Sequence, residues 1–362
     1  MRKSILLLTA LLLKCVTLTA GDVFSYDARK IAAQFFSTKE DSVLRPSRDG
    51  ITPSSVIPQA YYIYNRLDGA GNTGHGFVLI SGDDRIPPVL GYSDKGSFDP
   101  DELPENVAAW LKGLENDINE IKEMDDIDLS RVRSRTRGTT SRTAIEPLIP
   151  STWNQGLPYN LMCPDGNGTD YNMPGFDVEY RCVTGCVATA MAQVMYYHKW
   201  PETCTSIPGY SYSNDYNGTL GELGTTTFKW DKMKDTYYRS ETGDAANAVA
   251  ELMRYCGQSV EMMYGPSGSG VYSDVLPKIL PEALTKYFGY KKSLKYVKRS
   301  SYGSNSEQWE ELIYQDLSKG LPVLYNGFGG GGHQFICDGY KEDANGVHYF
   351  HFNWGWGGSK ES

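Results

Sequence analysis

Residues 129–149, "LSRVRSRTRGTTSRTAIEPLI", alternate arginine with serine and threonine and carry Arg131, Arg133, Arg135, Arg137 and Arg142 with no hydrophobic period. A segment without an apolar face cannot join a packed layer, so it divides the chain into two folding units. Length agrees, since 362 residues exceed the roughly 100–200 typical of one domain. The joint reads as a polyanion-binding patch, an exposed tether or a site of maturation. The formal charge of −9 argues against a general nucleic-acid or membrane-surface binder, which needs an accumulated positive field. Cleavage is the favoured reading, because irregular, solvated backbone is what a protease accommodates.

The chain opens "MRKSILLLTALLLKCVTLTAGD", a basic start, a short apolar run and small residues ending at Ala20. This is the grammar of a secretory signal, and the run is too short for a permanent membrane anchor. Cys15 follows Lys14, the wrong neighbour for lipid attachment, and goes with the discarded peptide. The expected division is residues 1–20 as signal, 21–128 as a small α+β unit, 129–149 as a cleavable linker and 150–362 as the main unit. Removing Cys15 leaves Cys163, Cys182, Cys186, Cys204, Cys256 and Cys337, enough for three disulfides in an oxidising compartment.

In the N-terminal unit, "SYDARKIAAQFF" reads as a helix opened by Ser25, and "AYYIYN", "GFVLISG" and "PPVLGYS" read as strands. A second helix, "ENVAAWLKGLENDINEIKEM", places Val107, Trp110, Leu111, Leu114, Ile118 and Ile121 on one face. Beyond Pro150, "CVATAMAQVMYYHKW", "DAANAVAELMRYCGQSV" and "PKILPEALTKYFGY" read as helices. "PVLYNGF", "HQFICDGYK" and "HYFHFNW" then read as strands. Helices first and sheet afterwards indicate an α+β domain whose two parts face each other.

The chemistry centres on "RCVTGCVATAMAQVMYYHKW", with two cysteines four residues apart. A cysteine reacts as thiolate, and its usual pKa near 8.5 leaves little of it at neutral pH unless a positive environment intervenes. A helix N-terminus supplies roughly half a positive charge and free N–H groups able to hold an oxyanion. Cys186 follows Gly185 and heads the helix; Cys182 sits a turn earlier in the loop. Taken alone, Cys186 is also what a small buried core residue looks like, so it needs a partner.

Among five histidines, His75 lies in the other unit, and His198 is three turns down the same helix. His348 and His351 alternate on one strand. His333 follows "GFGGGG" and opens a strand, where little bulk would keep its imidazole from a cleft. Asn353 in "HFNWGWGG" is placed to accept the imidazole N–H beside the indoles of Trp354 and Trp356. His333 lies 147 residues after Cys186 and Asn353 a further 20 on. The order Cys, His, Asn matches papain-like spacing for the histidine and runs late for the asparagine. The papain-type sequence around the nucleophile is absent.

Together, "WNQGLPYN", "TGCVATAMAQVMYYHKWP", "YGPSGSG", "GGHQFICDGY" and "FNWGWGG" resemble the streptopain family of secreted bacterial cysteine proteases. The resemblance implies a papain-like catalytic domain, helical part facing antiparallel sheet, behind an inhibitory propeptide. It implies Cys186 as nucleophile, His333 as base, Gln155 as oxyanion donor, and Asn353 with Trp354 as the groups that orient and cover the histidine. Ser267, Gly268, Ser269 and Gly270, with Gly332 and Trp356, would line the substrate site. No cofactor or metal is implied, and the expected partners are protein or peptide substrates, host proteins among them, and the chain's own propeptide.

The family continues through further strands after its tryptophan turn, whereas this sequence stops at "GWGGSKES" and so reads as truncated, with an exposed sheet edge. Competing readings are a Cys-His cell-wall amidase and an inactive relative that binds or inhibits a protease. A metal site from Cys182, Cys186 and His198 lacks a fourth ligand at sensible spacing.

Overall fold

A computed structural model describes residues 21–36, 44–46, 59–68, 70–103, 105–124, 142–213, 215–303, 306–328, 332–343 and 346–358. The proposed signal and the joint up to Ser141 lie outside the described residues.

The N-terminal unit is an antiparallel sheet in the order β1 (Leu44–Pro46), β2 (Tyr61–Arg66), β3 (Phe77–Ser81) and β4 (Val89–Ser93). Helix α1 (Ser25–Phe35) covers one face through Ala28 and Ala32, which pack with Tyr62, Tyr64, Val78 and Ile80. Helix α2 (Glu105–Glu123) covers the other, with Leu111 against Ile63, Phe77 and Leu79. Apolar cover on both faces explains why "FVLIS" is a continuous apolar run with every residue buried. Two expectations change. Phe24, not Ser25, occupies the N-cap of α1, and Trp110 lies off the packed face of α2, 49% exposed.

The C-terminal unit is built around helix α3 (Cys186–His198), in which every residue from Val187 to Tyr196 is buried. A helix that is apolar all round must have cover on all sides. Helix α4 (Asp244–Ser259) and helix α5 (Leu276–Lys286) close one side, with Val249, Leu252, Met253 and Leu280 in a core shared with Met191 and Met195. On the other side Ala190 and Val194 pack on Ile336 of the sheet. Each such large apolar side chain contributes roughly 1.5–3 kcal/mol on burial. Two short pairs, β5 (Thr203–Cys204) with β8 (Thr226–Thr227) and β6 (Tyr210–Ser213) with β7 (Asn217–Leu220), decorate the helical half.

The sheet itself is antiparallel, in the order β11 (His348–Asn353), β10 (Gly332–Glu342), β9 (Val323–Phe328). Its register pairs His333 with Gly327, and Ile336 with both Leu324 and Asn353. Helix α6 (Ser306–Leu317), which the sequence reading left unassigned, packs Ile313 and Leu317 against Cys337 and Tyr340.

The linker expected over 129–149 does not extend that far. Ile145 and Tyr340 exchange two backbone hydrogen bonds of 2.8 Å, Leu148 N–H donates to the Asp338 carbonyl at 3.0 Å, and Ile149 N–H donates to Asp338 Oδ2 at 2.9 Å. Residues 145–149 thus run beside the far half of β10, held to it by the isolated Ile145–Tyr340 bridge and the bonds to Asp338. The N-terminal unit meets this same end, with Tyr92 and Tyr349 edge to face at 5.7 Å and the Lys341 ammonium 5.7 Å from the Tyr92 ring.

Candidate active site

Gly185 precedes α3 with φ +83° and ψ 149°, a conformation essentially confined to glycine. A Cβ there would stand 2.8 Å from Met262 Sδ and 2.9 Å from the Ser269 carbonyl oxygen. The chain therefore turns sharply, lets the loop after Tyr264 approach, and leaves Cys186 half-buried at the head of the helix. Thr189 steadies the turn, since its Oγ1 donates to the Gly185 carbonyl at 3.0 Å and lies 2.9 Å from Thr184 Oγ1. Burial pushes the Cys186 thiol up from its usual value, and the backbone N–H groups of Gln334, Val187 and Cys186 pull it back. The strand that bears His333 packs on this same helix, Ile336 lying against Ala190 and Val194.

His333 is buried between aromatic rings. Trp356 stacks on it at 4.9 Å and 24°, Phe335 at 5.8 Å and 20°, and Trp354 lies at 6.1 Å and 17°. Burial depresses its pKa from 6.5 to about 4, against the opposing pull of the Trp354 carbonyl. Its Nε2 lies 2.9 Å from that carbonyl oxygen. A carbonyl only accepts, so Nε2 carries the hydrogen and Nδ1 holds the lone pair that can take a proton.

The open cleft and the Asn353 contact expected for His333 are both corrected by this geometry. Asn353 is occupied elsewhere: its Oδ1 accepts from Gln193 Nε2 at 3.1 Å and Gly355 N–H at 3.0 Å, and its Nδ2 donates to the Ser151 carbonyl at 2.9 Å. It holds the turn whose next residue, Trp354, presents the carbonyl to the imidazole. Gly355 (φ +73°) lets that turn lie on the helix, where a Cβ would meet Thr189 Cγ2 at 3.1 Å.

Gln155 is half-buried, and its carbonyl accepts the Thr184 N–H at 3.0 Å, which fixes "WNQG" beside the cysteine loop. Trp153, fully buried, anchors the stretch through Tyr196, 4.8 Å between ring centres. In the loop on the opposite flank, Ser269 Oγ donates to the Val183 carbonyl at 2.7 Å and accepts from Gly265 N–H at 3.0 Å. Gly270 exchanges backbone bonds with Met263. Ser267 and Gly268 are exposed, as is Gly332 at the start of β10. The glutamine turn and the Ser269 loop are thus bonded to Thr184 and Val183, just before Cys186, and the turn beside His333 lies on Thr189 and Gln193 of α3.

Cys182 is wholly buried, and burial raises its thiol to about 12. Its carbonyl accepts from Asn160 Nδ2 at 2.9 Å, a structural placement. All six described cysteines are free thiols, so the three conceivable disulfides are not formed. His351 and His348 are taken up by Asp338 and Glu310 at 2.6 and 2.7 Å. Gln193 and Ser151 escaped the sequence reading. Nothing in a buried glutamine inside an apolar helix signals partners 40 and 160 residues away.

Comparison with known proteins places both units of the chain in families. Residues 153–362 match the Peptidase C10 family and residues 20–118 match the Spi protease inhibitor family. The thiol protease/hemagglutinin PrtT of Porphyromonas gingivalis is 34% identical over 98% of this chain, and streptopain of Streptococcus pyogenes is 35% identical over 82%. The chain spans 40% of the length of the first and 71% of the second. Among solved structures, a prointerpain A fragment from Prevotella intermedia superposes with a TM-score of 0.63 at 30% identity. That match covers 88% of this chain and 90% of the fragment. Active interpain A from the same organism matches with a TM-score of 0.50 at 34% identity, over 60% of this chain and 85% of its own.

Proposed function

Because the chain belongs to the Peptidase C10 family and carries a Spi-type inhibitor domain ahead of it, we propose that it is the secreted zymogen of a cysteine endopeptidase. The observation that carries this reading is the link between α3, which Cys186 heads, and His333: Gln193 of that helix holds the Asn353 turn, and the Trp354 carbonyl in that turn meets the His333 Nε2 at 2.9 Å. In the reaction the imidazole Nδ1 takes the thiol proton and the Cys186 sulfur attacks the peptide carbonyl. The Cys186 backbone N–H and the Gln155 side-chain amide then stabilise the oxyanion. His333 returns the proton to the leaving amine, and water activated by the same ring releases the acyl-enzyme.

Burial raises the thiol and lowers the imidazole of the resting pair. The N-terminal unit, residues 21 to about 128, acts as the inhibitor, and residues 1–20 act as the secretion signal. Cys186→Ala should abolish both casein digestion and self-cleavage, while Cys182→Ala should retain the chemistry. Equal turnover by wild type and Cys186→Ala would overturn the assignment.

A further inference from the structure

Arg142 belongs by composition to the basic joint, yet it is a docked residue. Its Nη2 donates to Glu311 Oε2 at 2.8 Å, and its guanidinium lies 5.0 Å from the Tyr314 ring and 5.7 Å from that of Tyr340. Its backbone N–H donates to Glu342 Oε2 at 3.1 Å. One residue on, the Thr143 carbonyl accepts from the Tyr314 hydroxyl at 3.2 Å. Ile145 then joins Tyr340 by its two backbone bonds. The peptide bond between Arg142 and Thr143 is held on both sides.

A protease that cuts after a basic residue must take that side chain into its own pocket and draw the neighbouring backbone into an extended strand. At Arg142 the side chain is already enclosed by two rings and a carboxylate, and the backbone is already paired. Hydrolysis there requires residues 142–145 to leave the sheet first, so the rate follows the population of that opened state.

We propose that Arg142 is the N-terminal anchor that the processed peptidase keeps: the bond after it resists cleavage at basic residues, and residues 142–149 remain on the catalytic sheet. This assigns Arg142 a role opposite to that of a processing site, despite its place in the arginine series. Its meaning for maturation rests on the zymogen reading, but its test does not, because the chain used is inactive.

The full-length Cys186→Ala chain is digested with trypsin under native conditions and its C-terminal product is followed by intact mass. The expected product retains Arg142. In the Glu311→Gln/Glu342→Gln variant, a product beginning at Thr143 should form about tenfold faster or more, since two charge-assisted bonds are weakened. Tyr314→Phe, which removes only the hydroxyl on the Thr143 carbonyl, should accelerate the same cut by a smaller factor. Prompt formation of the Thr143 product from the parent chain, or equal rates in parent and double variant, would overturn the proposal. Loss of the peptidase reading would instead appear in the casein assay and leave this digestion unchanged.

Discussion

The His333 imidazole of the full chain should titrate near pH 4 rather than 6.5. The perturbation is proton uptake by a ring enclosed by Trp356, Phe335 and Trp354, where a cation loses its water and gains only the aromatic faces and one carbonyl already engaged by Nε2–H. Displacement from 6.5 to about 4 corresponds to roughly 3 kcal/mol favouring the neutral ring in the folded state. Between these values the unfolded chain binds the proton and the folded chain does not. This contribution to stability is therefore fully present above about pH 6.5 and is lost as the pH falls toward 4. The assay is a histidine side-chain NMR titration of the Cys186→Ala chain, with the His333 signal assigned by its loss in His333→Gln. Urea unfolding of both proteins between pH 4 and 7 should show a steeper acid loss when the histidine is present. A His333 pKa at or above 6.5, or identical acid profiles, would refute the reasoning.

Gly185→Ala should lower thermal stability by about 1–3 kcal/mol and depress turnover, because a Cβ meets Met262 and the Ser269 carbonyl in a backbone region closed to alanine. Gln193→Ala should cost about 2–3 kcal/mol by urea unfolding, and should reduce activity as much as Asn353→Ala does. Silence of Gln193→Ala beside a strong Asn353→Ala effect would show that Asn353 acts on the imidazole directly. Gly257→Ala places a methyl 2.2 Å from Tyr264 Oη. The resulting loss of Tm should be largely relieved by adding Tyr264→Phe, since the Tyr264 hydroxyl has no hydrogen-bond partner among the described residues.

The places of Cys186 at a helix head and His333 near the start of a strand were legible because their signals are local: a glycine before a helix-forming run, and a glycine run before a strand. The two-layer α+β plan was legible for a related reason, since apolar runs such as "FVLIS" and "HQFIC" carry their burial in their composition. What stayed hidden depends on partners distant in the chain. Arg142 looks like its four neighbours until Glu311 and Glu342 arrive by folding. Asn353 looked free to serve the imidazole because the competing claim of Gln193 comes from a helix 160 residues earlier. Helix α6 was missed because its apolar face, Ile313 and Leu317, is short and interrupted by Glu310, Glu311 and Gln315.

Gln193 touches three things that a peptidase must keep in step. It sits in the helix that begins with Cys186, its Oε1 receives the Ser151 hydroxyl and the Trp153 N–H just before Gln155, and its Nε2 reaches the Asn353 turn that covers His333. In the proposed mechanism, nucleophile, oxyanion donor and imidazole support are thereby measured from one common datum, so a displacement of the helix would carry all three together. The loop at Ser269 is fastened separately, to the Val183 carbonyl. On the proposed reading, variation there would retune which peptides enter without altering the alignment that Gln193 sets.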